Sequence, residues 1–210
     1  MKTKIKAQGG PALERLVYRI RDPETSREEF RNCLGRIGEY LGIEIARELE
    51  QEKRKITTSL GKEAEHRLLK EDPVLIGVLR AGLPLYYGMQ RAFPESESGF
   101  IGAMRDEKTL KSKISYCAIP DISGKTVILI DTMLATGGSL IDIAEMLKEK
   151  KPRKIITASA IASQKGIERL SAYDPSLRIY TAVIDPILNE KGYIVPGLGD
   201  AGDRCYGEKL

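Results

Sequence analysis

From residue 126 onward, short apolar runs alternate with amphipathic stretches, and that alternation limits the folds open to the chain. Runs at 126–130, 154–161 and 178–184 read as strands, and the stretches at 139–150 and 163–172 read as helices between them. The runs are continuously apolar, as in Val127-Ile-Leu-Ile130. A strand apolar on both sides is buried on both faces. Strands joined through helices of this length pair in parallel, with helices above and below. The expectation is an α/β fold of three layers, a mostly parallel central sheet flanked by helices. Right-handed crossovers then bring the carboxyl ends of the strands to one edge, where such sheets bind ligands.

Val74-Leu-Ile-Gly-Val-Leu79 and Gly99-Phe-Ile-Gly-Ala-Met104 extend the pattern upstream, with a helix from Ala81 to about Phe93 between them. Phe30, Cys33, Leu34, Ile37, Leu41, Ile45 and Leu49 recur at helical spacing and predict a helix to about Glu50. Ser26 with Glu29 three residues later has the form of a capping box at its start. Gly35, Gly38 and Gly42 either weaken this helix or let another backbone close in on it. Residues 1–10 read as a loose end, Ile56–Leu60 as a short strand, 105–113 as a charged mobile loop, and 114–119 as a strand of an extended arm. No repeat, linker or low-complexity segment interrupts residues 1–210, which read as one domain.

Composition excludes several function classes. No apolar run approaches the ~18 residues of a membrane span. The basic start Met1-Lys-Thr-Lys-Ile-Lys has no apolar signal core behind it, so secretion is not expected. Cys33, Cys117 and Cys205 lie far apart with no CxxC pair, which argues against disulfides or zinc and for a reducing cytoplasm. The net charge of +4 is spread among acids, as in Lys148-Glu149-Lys150-Lys151, and suits a solvated surface or small anionic substrates better than nucleic acid. The only histidine, His66, sits in a polar surface stretch rather than beside a nucleophile.

Four segments carry the chemistry. Asp131-Thr-Met-Leu-Ala-Thr-Gly-Gly-Ser139 follows one strand and opens a helix. A turn of this kind aims several N–H groups, at the positive end of a helix, at one phosphate. Asp131 cannot ligate phosphate but can accept hydrogen bonds from sugar hydroxyls, so the pair suggests a ribose phosphate. An ordinary βα turn would also carry such glycines. The Walker pattern fails, because Ile119 stands where Gly124-Lys125-Thr126 would need an upstream glycine. Arg80, at a strand end before Ala81-Gly82, offers a bidentate fork for phosphate, or is a surface arginine at a turn. Arg105 opens a charged loop that could close over a diphosphate, or simply be solvated. The tail Gly192-Tyr-Ile-Val-Pro-Gly-Leu-Gly-Asp-Ala-Gly-Asp203 contains Gly197-x-Gly199-x-x-Gly202, yet only eight residues follow, too few for a dinucleotide βαβ unit. Its glycine density instead suits main chain approaching a flat ligand, with Asp200 and Asp203 nearby.

In these segments, in the same order over nearly the whole chain, the sequence resembles uracil phosphoribosyltransferases of the type I phosphoribosyltransferase class. The Ala135-Thr-Gly-Gly138 core is common to that class, and the 192–203 tail is far more specific to the uracil branch. The resemblance implies an enzyme of pyrimidine salvage converting uracil and 5-phospho-α-D-ribose 1-diphosphate (PRPP) to UMP. Its fold would carry a flexible loop or β-arm and a small C-terminal hood. Arg80 and Arg105 would hold the diphosphate, Asp131 the ribose hydroxyls, and Ala135, Thr136, Gly137, Gly138 and Ser139 the 5-phosphate. Thr132, Met133 and Leu134 complete the PRPP loop. Ile194, Gly199 and Ala201 would read uracil through their backbone, with Asp200 between base and PRPP. Arg80, Arg105 and Asp200 would act by charge stabilisation and positioning. The resemblance further implies magnesium carried by PRPP rather than by protein ligands and a homodimer or higher assembly, for which residues 106–119 could serve, and it leaves open GTP, an effector of some members. An RNA-binding pyrimidine sensor on the same fold is the alternative. Thr132 stands where the family usually has proline, Gly77 starts a stretch the family begins with proline, and the loop after Arg105 lacks the usual asparagine and proline.

Overall fold

A computed structural model describes residues 4–7, 10–105 and 112–208. The first elements are β1 (Lys4–Ala7), α1 (Pro11–Arg21), α2 (Arg27–Ala46), β2 (Gln51–Thr57), β3 (Glu63–Leu69) and β4 (Val74–Leu79). Then come α3 (Leu83–Ala92), β5 (Ser98–Arg105), β6 (Ser112–Ala118), β7 (Thr126–Ile130) and β8 (Met133–Leu134). The chain continues through α4 (Gly138–Lys148), β9 (Lys154–Ser163), α5 (Gln164–Tyr173) and β10 (Arg178–Asp185). It closes with β11 (Ile187–Leu188), β12 (Ile194–Val195) and α6 (Ala201–Tyr206).

The main sheet runs β1-β10-β9-β7-β4-β5-β6, with β8 added beside β9. Every pairing in it is parallel except β5 with β6. Strand residues alternate between two cores. Leu75, Ile128, Ile130 and Ile156 face one side with Phe30, Leu34 and Leu85 of α2 and α3. Val74, Ile76, Val127 and Leu129 face the other with Leu140, Ile143 and Leu170 of α4 and α5. Two buried faces account for the continuous apolar runs, and three layers follow.

Ser26 caps α2 as its spacing predicts, its hydroxyl accepting from the Glu29 N–H at 3.2 Å. The glycines of α2 serve close packing. A Cβ at Gly38 would collide with the Leu85 carbonyl of α3, and one at Gly42 would lie 2.6 Å from the Ala92 Cβ.

Several sequence expectations change. Helix α2 stops at Ala46 rather than near Glu50, and Glu48 instead accepts a 2.6 Å bond from Arg178 of β10. Residues 4–7 are not loose: Lys4-Ile-Lys-Ala7, alternating as an edge strand does, pairs in parallel with β10. The segment 114–119 is not an arm, because β6 closes the sheet edge against β5. The hairpin that leaves the main sheet is β2–β3, where one short strand at 56–60 was expected. It is almost wholly exposed and laced by Lys53–Glu65 and Lys55–Glu63 ion pairs at 2.8 and 2.9 Å. His66 lies exposed on it opposite Arg54. The charged loop 106–111 and the side chain of Arg105 lie outside the described residues.

Candidate active site

The chain crosses from β4 to β5 on one side of the sheet, while β7 lies on the other side of β4. Crevices of this kind form where strand order reverses. Arg80 follows β4 and Asp131 follows β7, so both stand at that reversal. The Arg80–Gly82 turn presses on the end of β7, since a Cβ at Gly82 would lie 2.9 Å from the Ile130 carbonyl. Thr132, fully buried, donates its hydroxyl to the Ala81 carbonyl at 2.6 Å and ties the two turns together.

Burial pushes the Asp131 carboxyl up to about 6, against hydrogen bonds from the Thr132 and Met133 N–H groups that pull it down. Beyond it, β8 pairs with Ile161 and Ala162 of β9, so Thr132 and Leu134 turn their side chains inward. Gly137 then takes φ +78, a left-handed conformation that glycine adopts without penalty, and α4 begins at Gly138. Helix α5 braces this bend. Ser163 donates to the Ala135 carbonyl at 2.6 Å and accepts from the Gly166 N–H at 2.8 Å. Arg169 donates to the Thr136 carbonyl at 3.3 Å, which brings a cation beside the loop.

The tail forms a small hood. β11 and β12 pair antiparallel, the Val195–Pro196 peptide is cis, and Gly197 and Gly199 take φ of +62 and +81. Asp200 caps α6, its Oδ1 accepting from the Asp203 N–H at 3.0 Å. Ile194 and Ala201 are buried at either end of this bend. The Arg80 guanidinium reaches the hood, lying 3.5 Å from Asp203 Oδ1 and 6.0 Å from the centre of the Tyr206 ring. Arg80 thus links the two glycine-dense bends, its turn tied to the first and its guanidinium beside the second.

A family model for uracil phosphoribosyltransferase matches residues 7–208. The chain belongs to the uracil phosphoribosyltransferase family. The uracil phosphoribosyltransferase of Clostridium kluyveri is 42% identical over 191 residues, covering 90% of this chain and 91% of that protein. The one from Dictyoglomus turgidum is 40% identical over 200 residues, covering 95% and 97%. A solved protein of Aquifex aeolicus superposes with a TM-score of 0.91 at 35% identity, covering 97% of this chain and 98% of that one. A hypoxanthine-guanine phosphoribosyltransferase from Bacillus anthracis shares the fold alone, with a TM-score of 0.52 at 17% identity over 76% and 80% of the two chains.

In this uracil phosphoribosyltransferase fold the Thr132–Ala81 bond ties the 131–139 loop to the turn that carries Arg80, Arg80 in turn approaches Asp203 of the hood that contains Ile194 and 199–201, and β5 ends at Arg105. Sequence reasoning missed the residues that hold these groups in place. Arg204 donates to the carbonyls of Ile20, Leu198 and Asp22 and stacks over Phe30 at 4.2 Å, so it locks the hood to α1. Arg31 donates to the Cys205 carbonyl at 2.7 Å. The Asp185 carboxylate and Arg21 both grip Gly197. Ser163 did carry a visible signal, a serine at the start of an apolar-periodic stretch, but its second bond to Ala135 spans 28 residues and leaves no spacing to read. Among the described residues no group of three or more His, Cys, Asp or Glu could hold a metal, and no helix is long and apolar enough to cross a membrane.

Proposed function

We infer that the chain transfers the phosphoribosyl group of PRPP to uracil, yielding UMP and diphosphate. The observation that carries this reading is the meeting of the arginine turn, the acidic loop and the hood, with Arg80 3.5 Å from Asp203. The 5-phosphate would rest on the N–H groups between Ala135 and Ser139, at the positive end of α4. Asp131, once ionised, would accept from the ribose hydroxyls. Ile194, Gly199 and Ala201 would present main-chain donors and acceptors to the edge of the base.

As diphosphate leaves, the anomeric carbon takes on oxocarbenium character. Arg80 and Arg105 would neutralise the departing charge, and the hood would hold the base nitrogen against that carbon. No covalent nucleophile is required. Burial pushes the Cys205 thiol up to about 11, which keeps this nearby sulfur protonated and inert. Magnesium, when bound to PRPP, adds positive charge to the leaving diphosphate. Asp200 suits such an ion, since hard cations take carboxylate oxygens directly or through water, and its Oδ1 alone is committed to the α6 cap.

The reading also includes self-association. The β2–β3 hairpin exposes Ile56, Leu60 and Leu68, which a second copy would cover.

A UMP-formation assay with uracil, PRPP and magnesium tests the activity, with omission of each component and addition of GTP. Product that depends on all three is the expected result. Absence of product under every condition overturns the reading. Arg80→Ala and Asp200→Ala should each lower turnover more than about tenfold in folded protein, as loss of transition-state charge stabilisation does. Wild-type turnover in either variant would remove that residue from the site.

A further inference from the structure

We propose that Arg21 and Asp185 are positioning residues of the base site, their ion pair fixing the bend of main chain that reads uracil. The inference rests on the assignment of Ile194, Gly199 and Ala201 as that site.

Asp185 ends β10 and is 3% exposed. A carboxylate taken that far from water needs a paired charge and hydrogen bonds for its remaining lone pairs. Arg21, the last residue of α1, supplies the charge as a fork: Nη2 lies 2.6 Å from Oδ1 and Nη1 lies 2.9 Å from Oδ2. Each partner has capacity left, and each spends it on the same residue. The Gly197 N–H donates to Asp185 Oδ2 at 2.8 Å, and the Gly197 carbonyl accepts from Arg21 Nη1 at 3.0 Å. One ion pair, its carboxylate buried and its arginine partly exposed, thus grips both peptide groups of a single glycine.

Gly197 lies inside the bend, three residues after Ile194 and two before Gly199. It takes φ +62, and a Cβ there would run into the Ile194 carbonyl. Gly197 and Gly199 have no side chains to anchor their own peptide planes. The direction of the amides that read the base is therefore set from outside, by the Arg21–Asp185 pair at Gly197 and by Arg204 at the Leu198–Gly199 peptide. A tie between α1 and β10 needs the two side chains to meet and their remaining polar groups to be satisfied, but it does not need both remaining bonds to converge on one residue of this bend. Position matters most in such a pocket, because a misplaced donor or acceptor forfeits its hydrogen bond and remains desolvated.

The test is steady-state kinetics on Arg21→Lys, Arg21→Ala, Asp185→Asn and Gly199→Ala, with KM measured separately for uracil and PRPP. Cytosine is added as a competitor, and thermal unfolding establishes that each variant is folded. The expected result is a uracil KM raised about tenfold in Arg21→Ala and Asp185→Asn, as loss of one or two buried hydrogen bonds implies. The PRPP KM should stay within about twofold, cytosine should compete better than in the wild type, and Arg21→Lys should recover part of the loss. An equal rise in both KM values, or no change in either, overturns the proposal. Where Arg21→Ala fails to fold, Arg21→Lys and Asp185→Asn decide by the same criterion. Gly199→Ala separates the proposal from the assignment beneath it. If that variant raises the uracil KM while the Arg21 and Asp185 variants do not, the clamp alone fails. If Gly199→Ala leaves the uracil KM unchanged, the base-site assignment falls and the clamp falls with it.

Discussion

At Asp131 the requirements of folding and of binding diverge. Its carboxyl is pushed up to about 6 by burial, so the folded chain holds the proton more tightly than the unfolded chain, whose ordinary value is 3.8. Stability from this group is therefore fully present below pH 3.8 and is lost as pH rises through about 6. On the proposed ribose role, ligand binding would have the opposite sign, because only the ionised carboxylate accepts from both hydroxyls of a sugar. The PRPP KM should rise as pH falls below about 6 in the wild type, and a pH series on Asp131→Asn should lack that limb. The same variant should be more stable than the wild type near pH 7 by up to about 3 kcal/mol in urea unfolding, since a tenfold change in proton affinity is worth about 1.4 kcal/mol. Thr132 teaches a related lesson. From sequence it is only a departure from the family's usual proline, but in the fold its hydroxyl donates to the Ala81 carbonyl. Thr132→Val should leave that carbonyl buried without a partner and cost about 1–3 kcal/mol of stability, measured by urea denaturation.

Among the elements, legibility tracks burial. Strands β4, β7, β9 and β10 were readable because both their faces are covered, which removes polar residues from the run. Edge strands β1 and β6 mix polar and apolar residues, and the same composition suits a loop or an arm. Helix α1 did carry a pattern, with Pro11 at its first turn and Leu13, Leu16, Val17 and Ile20 facing the core. The glycines of α2 posed a question that sequence leaves open, since their partners Leu85 and Gly88 lie about fifty residues away. The structure answers it through α3: a Cβ on Gly88 would strike the Gly35 carbonyl. Gly88→Ala should therefore force the helices apart and cost about 1–3 kcal/mol or more, against the gain in helix propensity that alanine brings elsewhere. A thermal melt of this variant beside the wild type checks it. The glycine bends were legible for a different reason, since a dense run of glycines is a local signal in the sequence. Arg21, Arg204 and Arg31 act through bonds to distant carbonyls, and no spacing announces them.

Over the whole molecule, the β2–β3 hairpin and the sheet edge serve different ends. The hairpin's ion pairs are exposed and contribute little to its stability, so its apolar tip and flank are the features with a use. If the hairpin is covered by a second copy as proposed, replacing Ile56 and Leu60 by Asp should turn an oligomer into monomer by light scattering while leaving the melting of the main sheet close to that of the wild type; an unchanged mass would remove the hairpin from the interface. At the sheet edge, the hydroxyl of Thr132 welds the turn that carries Arg80 to the loop that would seat the 5-phosphate. On the proposed assignment, the span between phosphate cradle and diphosphate cation would be a built-in length that no substrate has to create. With those roles the crevice would work as a gauge: an analogue one bond longer or shorter than PRPP would have to bend itself to reach both ends, and its affinity would suffer accordingly.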